Sequence, residues 1–343
     1  MTNELKRYLK NKKNLEDAFL YNPGHEHDSC GVGFVASTDG KQRREVVQGG
    51  IDALKAVWHR GAVDADGKTG DGAGILTQIP YNFFDDEIAK TGHEKRDEPL
   101  GIGMMFLPRN DYAALEKCRT IIESELLDHG YYIYGWRQVP INNSVIGEKA
   151  NSTRPEIEQV MFVNNIERDK DFDFAKELYL VRRRLEKRIA KQQINGFYVC
   201  SLSFESIIYK GLFLAEQLSI FYPDLANEEF ISSFAVFHQR YSTNTFPSWG
   251  LAQPFRLLAH NGEINTISGN TNWMRNHQTR ITTEIFGDDS EQVKPIIEKN
   301  VSDSSALDAA FELYVRAGRS VPLVKTLLIP EAWSKRSELM PIE

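Results

Sequence analysis

Residues 25–37 read HEHDSCGVGFVAS, and the cysteine at position 30 is followed at once by a small, glycine-bearing apolar run. Residues 31–37 read as a buried strand, so Cys30 stands at the mouth of that strand. A free cysteine is ordinarily a small hydrophobe in a core. A pair of nearby histidines, His25 and His27, invites two other readings. As metal ligands they lack a third or fourth partner at plausible spacing, and no metal site is expected. As a general base, either one sits so close in sequence that an unusual backbone geometry would be needed. A third mechanism needs no histidine. Cleavage between Ser29 and Cys30 would place a new α-amino group on the nucleophile's own residue. An α-amine titrates near ~8 and a thiol near ~8.5. The amine can therefore take the thiol proton, as the amine of an N-terminal threonine does. On this reading residues 1–29 are a polar leader, and one domain runs over 30–343.

The rest of the chain limits the classes open to it. Its 343 residues carry 41 basic and 48 acidic side chains, a formal charge of −7. An acidic balance of that size gives no reason to expect a nucleic-acid backbone as partner. With 41% hydrophobic and 26% charged residues, the composition is that of an ordinary globular protein rather than a collagen-like, disordered or disulfide-scaffold chain. The three cysteines, Cys30, Cys118 and Cys200, form no CxxC and no metal spacing. They read as reduced thiols in a cytosol-like compartment, and the expected location is cytoplasmic. The first 20 residues are too charged for a signal peptide, and no stretch of 18 apolar residues offers a membrane span. The final LLIPEAWSKRSELMPIE stops without a clear closing element, so the domain is expected to be truncated at its C-terminal end.

Hydrophobic periodicity predicts strands over 31–37, 72–80, 100–108, 131–140, 160–165, 197–211 and 229–242. It predicts helices over 46–60, 111–130, 174–193 and 302–318, with glycine stops at Gly61, Gly130 and Gly318 and an Asn195-Gly196 closure for the third. Residues 86–99 and 141–156 read as the loosest stretches. Strands fall in antiparallel-looking pairs with helices between them, which favours sheets covered by helices. Periodicity leaves the topology open.

Three downstream segments offer parts for a site at Cys30. In HQRYSTNTFPSW (238–249), Arg240 suits a bidentate clamp on a carboxylate, or else a surface ion pair. In PFRLLAHNGEINT (254–266), Asn261-Gly262 is ordinarily a hairpin turn. It can also be an oxyanion hole, with the Asn261 amide and the Gly262 N–H aimed at a developing negative charge. In SDSSALD (302–308), the ordinary reading is a helix cap, and Asp303 could also receive an ammonium group. Together they describe a site for an α-amino acid with a side-chain amide.

Cys30-Gly-Val-Gly-Phe, WHRGA (58–62), GDGAGI (70–75), HQRYSTNT (238–245) and PFRLLAHNGEINTISGNTNWM (254–274) resemble the glutaminase domain of glutamate synthase large subunits. This is a class II glutamine amidotransferase of the N-terminal nucleophile family. The resemblance runs from about residue 20 to the chain end. HNGEI and RYST look like class II motifs in general, whereas GDGAGI and SGNTNWM look specific to glutamate synthase. GDGAG lacks the Lys-Ser/Thr of a P-loop and reads as a turn packed near the site. The resemblance implies an α+β fold, the four-layer α-β-β-α sandwich with two antiparallel sheets. It implies that Cys30 is the processed nucleophile, Asn261 and Gly262 the oxyanion hole, Arg240 the clamp on the glutamine carboxylate, Thr243 a further carboxylate contact, and Asp303 the partner of the substrate ammonium. It implies hydrolysis of L-glutamine to L-glutamate and ammonia through a Cys30 thioester. The ammonia would pass to a 2-oxoglutarate-aminating flavin domain absent from this chain. FMN and a 3Fe-4S cluster are expected in that remainder, with a small electron-donating subunit as a further partner. No cofactor is expected in this chain, because no cysteine cluster follows residue 200.

Three alternatives stand beside this reading. An amidotransferase for another acceptor is disfavoured by the 250–274 block. A self-processing amidohydrolase or peptidase is disfavoured by Arg240 and Asp303, which suit a free amino acid. A non-catalytic fragment of a split or truncated synthase is the third.

Overall fold

The computed structural model describes residues 3–18, 30–239, 246–280, 285–299 and 301–329. The chain divides into two compact units, Met1–Cys30 and Gly31–Glu343. The first holds helix α1 (Asn3–Asp17). The second contains, in order, β1 (Val32–Ala36), α2 (Arg44–Ala56), β2 (Ala73–Gln78), α3 (Tyr81–Lys90), β3 (Leu100–Leu107), α4 (Tyr112–Asp128), β4 (Tyr131–Gln138), α5 (Glu148–Ser152) and β5 (Glu156–Asn164). It continues through α6 (Phe174–Lys191), β6 (Tyr198–Ser203), β7 (Ser206–Gly211), α7 (Leu218–Phe221), β8 (Phe234–Gln239), α8 (Ile267–Gln278), α9 (Asp303–Arg316) and α10 (Val321–Leu328).

The strands form two four-stranded sheets, ordered β1-β8-β2-β7 and β4-β5-β3-β6. Every pairing is antiparallel. The central β3, LGIGMMFL, is buried along its whole length. Its side chains alternate between two cores, as a period of two requires. Ile102, Met104 and Phe106 join the core shared by both sheets, which also takes Val47, Ile51 and Leu54 of α2. Met105 and Leu107 face the opposite way, into a core closed by Cys118 and Ile122 of α4 and Val181 and Leu185 of α6. The layers therefore run helix, sheet, sheet, helix, the four-layer α+β sandwich that the family resemblance implied. A third cluster ties Tyr179 and Leu180 of α6 to Phe286, Val293 and Leu313.

Most expected elements stand where periodicity places them. The Asp111 carboxylate caps α4 by accepting the Ala114 N–H at 2.9 Å, and Ser302 caps α9 through the Ser305 N–H at 3.1 Å. Gly130 and Gly318, the expected stops, adopt φ of 79° and 87°. Several readings change. The strand expected to be buried, β1, is an edge strand with no buried residue, and its Phe34 is 76% exposed. The helix expected over 46–60 ends at Ala56, and the loose stretch 141–156 holds α5. The run 197–211 is two strands, β6 and β7, in different sheets. Ser203 Oγ accepts the N–H groups of Glu205 (2.9 Å) and Ser206 (3.2 Å), building a turn that the unbroken apolar alternation hides. The strand expected from 229 begins only at Phe234, because the Ser232 hydroxyl is engaged with the Gln78 N–H at 3.0 Å; its expected end at 240–242 lies outside the described residues. Helix α6 closes before Asn195-Gly196, through Gln193 at φ 58°. The loose stretch from 86 begins inside α3, whose Phe83, Phe84 and Ile88 are core residues. Helices α1, α3, α5, α7, α8 and α10 have no counterpart among the expected helices.

Candidate active site

Antiparallel pairing brings the start of β1 to the end of β8: Val32 stands opposite His238, and the Gln239 N–H donates to the Gly31 carbonyl at 2.5 Å. The start of β2 joins the same sheet end, with Ala73 opposite Gln239. Glycines permit the approach. A Cβ at Gly31 would collide with the Gln239 carbonyl, and it would stand 3.2 Å from Asn261 Nδ2 and 3.3 Å from Arg60 Cβ. A Cβ at Gly61 would collide with the Gln239 side-chain amide. The WHRGA and GDGAGI segments thus pack where β1 begins. Cys30, the residue before Gly31, carries an exposed free thiol. The other two cysteines are buried in cores, where desolvation pushes the Cys118 thiol up to about 11 and that of Cys200 to about 12. Neither is a nucleophile near neutral pH.

Asn261-Gly262 is not a hairpin turn, since no strand flanks it. It lies in the irregular segment 246–266 before α8, which the surrounding elements hold at several points. Asp308 of α9 accepts the N–H groups of Leu257 (2.9 Å) and Leu258 (3.0 Å). Lys210 of β7 is fully buried, and its ammonium donates to the Gly250 carbonyl at 2.8 Å. Gln253 pairs with the backbone of His260 in both directions: its Oε1 accepts the His260 N–H and its Nε2 donates to the His260 carbonyl, each at 3.0 Å. His238 Nε2 donates to the same carbonyl at 2.9 Å.

Within this frame the Asn261 amide is buried, and neither its oxygen nor its nitrogen has a hydrogen-bond partner among the described residues. A buried, unsatisfied amide costs about 1–3 kcal/mol, which marks a group held ready for something else. The Gly262 N–H, the other expected donor, instead donates to His260 Nδ1 at 3.1 Å. Burial pushes the His260 imidazole below its ordinary range, partly opposed by the charge of Asp303. Asp303 is the first residue of α9, behind the Ser302 cap, and is itself buried. Its Oδ2 accepts the Ile264 N–H at 3.0 Å and its Oδ1 the Ser304 N–H at 2.8 Å. Asp303 thus reaches the loop three residues beyond Asn261. Arg240 and Thr243 lie outside the described residues, as do His25 and His27. Sequence reasoning passed over Gln253, His238 and the structural role of His260. His260 and His238 carried a signal, their places inside the quoted AHNGE and HQRYST runs; Gln253 carried none.

No helix among the described residues is long and apolar enough to cross a membrane. The family model of the glutamine amidotransferases class-II matches residues 30–343. The chain is 60% identical over 318 residues to the glutamate synthase (NADPH) large chain of Azospirillum brasilense, covering 93% of this chain and 21% of that one. It is 41% identical to the ferredoxin-dependent chloroplastic glutamate synthase of Spinacia oleracea, over 95% of this chain and 20% of the other. The glutamate synthase (NADPH) large chain of Bacillus subtilis is also 41% identical, over 93% and 21%. The chain spans about a fifth of the length of these curated relatives.

Proposed function

Because the chain belongs to the class II glutamine amidotransferases, we propose that it hydrolyses L-glutamine to L-glutamate and ammonia with Cys30 as an N-terminal nucleophile. Removal of residues 1–29 exposes the Cys30 amine, which takes the thiol proton. The thiolate attacks the side-chain amide carbon. The resulting oxyanion is received by Asn261 Nδ2 and the Gly262 N–H. The amine returns its proton to the leaving nitrogen, and ammonia departs from a thioester. Water then attacks the thioester carbon, the amine accepts the water's proton, and glutamate leaves as the thiol is restored. Arg240 grips the substrate carboxylate through its planar fork, with Thr243 beside it, and Asp303 receives the substrate ammonium. The observation that carries this reading is the Asn261 amide, buried beside Gly31 with no hydrogen-bond partner among the described residues.

The relatives' printed names extend the proposal. In a glutamate synthase the ammonia aminates 2-oxoglutarate, a reduction that a bound cofactor must drive. FMN, a 3Fe-4S cluster and an electron-donating subunit belong to that second half-reaction, and a cytoplasmic location fits it. This chain alone is expected to release ammonia from glutamine without oxidising a reductant in the presence of 2-oxoglutarate. Intact-mass measurement and an ammonia assay test the first half. A mass beginning at Cys30 should accompany activity, and one unremovable residue before Cys30 should abolish it. Normal ammonia release from that extended chain would refute the amine as base.

A further inference from the structure

Gly262 is the one expected oxyanion donor whose N–H already has a partner. It donates to His260 Nδ1, two residues back, at 3.1 Å. An N–H committed to an imidazole cannot also point, at 2.7–3.1 Å, to where an oxyanion forms. We propose that His260 is a positioning residue that latches the Gly262 N–H away from the substrate, so that the oxyanion hole is complete only when the His260 ring swings aside. This rests on the glutaminase reading above and adds a restraint to the same site.

The local geometry allows the ring to move and little else. The His260 backbone is fixed on both of its polar atoms, its N–H by Gln253 and its carbonyl by Gln253 and His238. Two residues after Gly262, the Ile264 N–H is fixed by Asp303. The imidazole, by contrast, is held at one edge: its Nε2 is buried and has no hydrogen-bond partner among the described residues. Among the described residues, rotation about the side-chain torsions therefore breaks that one hydrogen bond alone. Asn261, between the two latched residues, has an amide with no hydrogen-bond partner among the described residues.

The latch needs an unprotonated Nδ1. Burial favours the neutral imidazole, while the Asp303 carboxylate, facing it from the start of α9, pulls the other way. His238 of β8 faces the peptide carbonyl of His260 through its own Nε2. A protonated His260 has donors on both ring nitrogens and cannot accept the Gly262 N–H. Acid therefore opens the latch, below the ordinary histidine range.

Two variants and one resonance decide the matter. His260→Phe keeps the ring shape but has no acceptor. His260→Asn offers a side-chain oxygen near the Nδ1 position but does not titrate. On the chain processed at Cys30, His260→Phe should raise kcat for glutamine about fivefold, the population factor of one neutral hydrogen bond, with KM unchanged. His260→Asn should keep kcat low. The ratio of His260→Phe to wild-type kcat should shrink toward acid pH, while the ratio of His260→Phe to His260→Asn stays level. A merely structural histidine predicts the opposite, a lower kcat in both variants and no pH-dependent ratio, and that result overturns the latch. The Gly262 amide resonance of the wild-type chain should shift as His260 protonates. A resonance that does not move overturns the proposal even if His260→Phe fails to fold. Absence of any Cys30-dependent ammonia release would sink the glutaminase reading instead, and the Gly262 titration would still decide the latch.

Discussion

Asn261 presents the sharpest chemistry at the residue scale. Its amide is buried with neither polar atom partnered among the described residues, a cost that a purely structural asparagine would have no reason to carry. Asn261→Ala removes a donor that strengthens only as charge develops on the substrate. Its kcat should fall roughly 10²- to 10³-fold with KM nearly unchanged, measured as ammonia release. A loss confined to KM would make Asn261 a ground-state contact. Arg240→Lys should behave the other way round. Lysine keeps the charge but loses the fork, at a cost of about 1.5–3 kcal/mol for one charge-assisted bond, or roughly tenfold to a hundredfold in KM. An unchanged KM would remove Arg240 from the site. Both residues could be singled out in the sequence because their neighbours, AHNGE and RYST, carry motif information. Gln253 could not. Its partners are main-chain atoms of His260, and a main-chain partner leaves no residue-type signature.

At the scale of elements, the two sheets are fastened by a buried polar network as well as by apolar packing. Arg137 of β4 grips Asp224 through two bonds, of 2.7 and 2.8 Å, and donates to Gln159 of β5 at 3.0 Å. Gln159 in turn donates to the Tyr209 hydroxyl of β7 at 2.9 Å, and that hydroxyl donates to Asp224 at 2.8 Å. The ring crosses from the second sheet to the first. Removing one ionic member strands a buried charge, so Asp224→Ala should cost about 3–5 kcal/mol, read as a lower midpoint in chemical denaturation. A change within about 0.5 kcal/mol would mean that Arg137 finds water or Glu87, already 2.7 Å from it, sufficient. Helix and strand identities were legible wherever a long apolar period ran between caps, as in α4 and α9. The break between β6 and β7 was not, because both halves alternate alike and only the Ser203 hydroxyl marks the corner.

At the scale of the whole molecule, a cluster of ion pairs joins α6 to α9 and to the 294–298 loop. Glu186 bridges Arg182 and Arg183, each at 2.8 Å, and Arg182 also reaches Glu312 at 2.6 Å. Burial alone would raise the Glu186 carboxyl, but the two guanidinium groups outweigh it and hold it at about 2. A folded pKa below the ordinary 4.5 means that this stabilisation is present above pH ~4.5 and fades as pH falls toward about 2. Denaturation midpoints should drop over that window, and Glu186→Gln should flatten the drop while lowering stability at neutral pH. An equally steep acid loss in Glu186→Gln would assign it to other carboxylates. The sequence by itself determined the class of this protein: the alternation of strands and helices, the lone cysteine at the mouth of β1, and the AHNGE and SDSSALD segments are local patterns of side-chain type. The tertiary structure alone decided what those patterns meet. Which strands pair is a long-range choice among many apolar runs of similar character, and β1 finds β8 some two hundred residues away. That pairing sets Gly31 beside Gln239 and Asn261, and the loop's backbone hydrogen bonds turn the Gly262 N–H back onto His260. Such contacts depend on main-chain atoms that every residue shares, so no reading of side-chain order could reveal them.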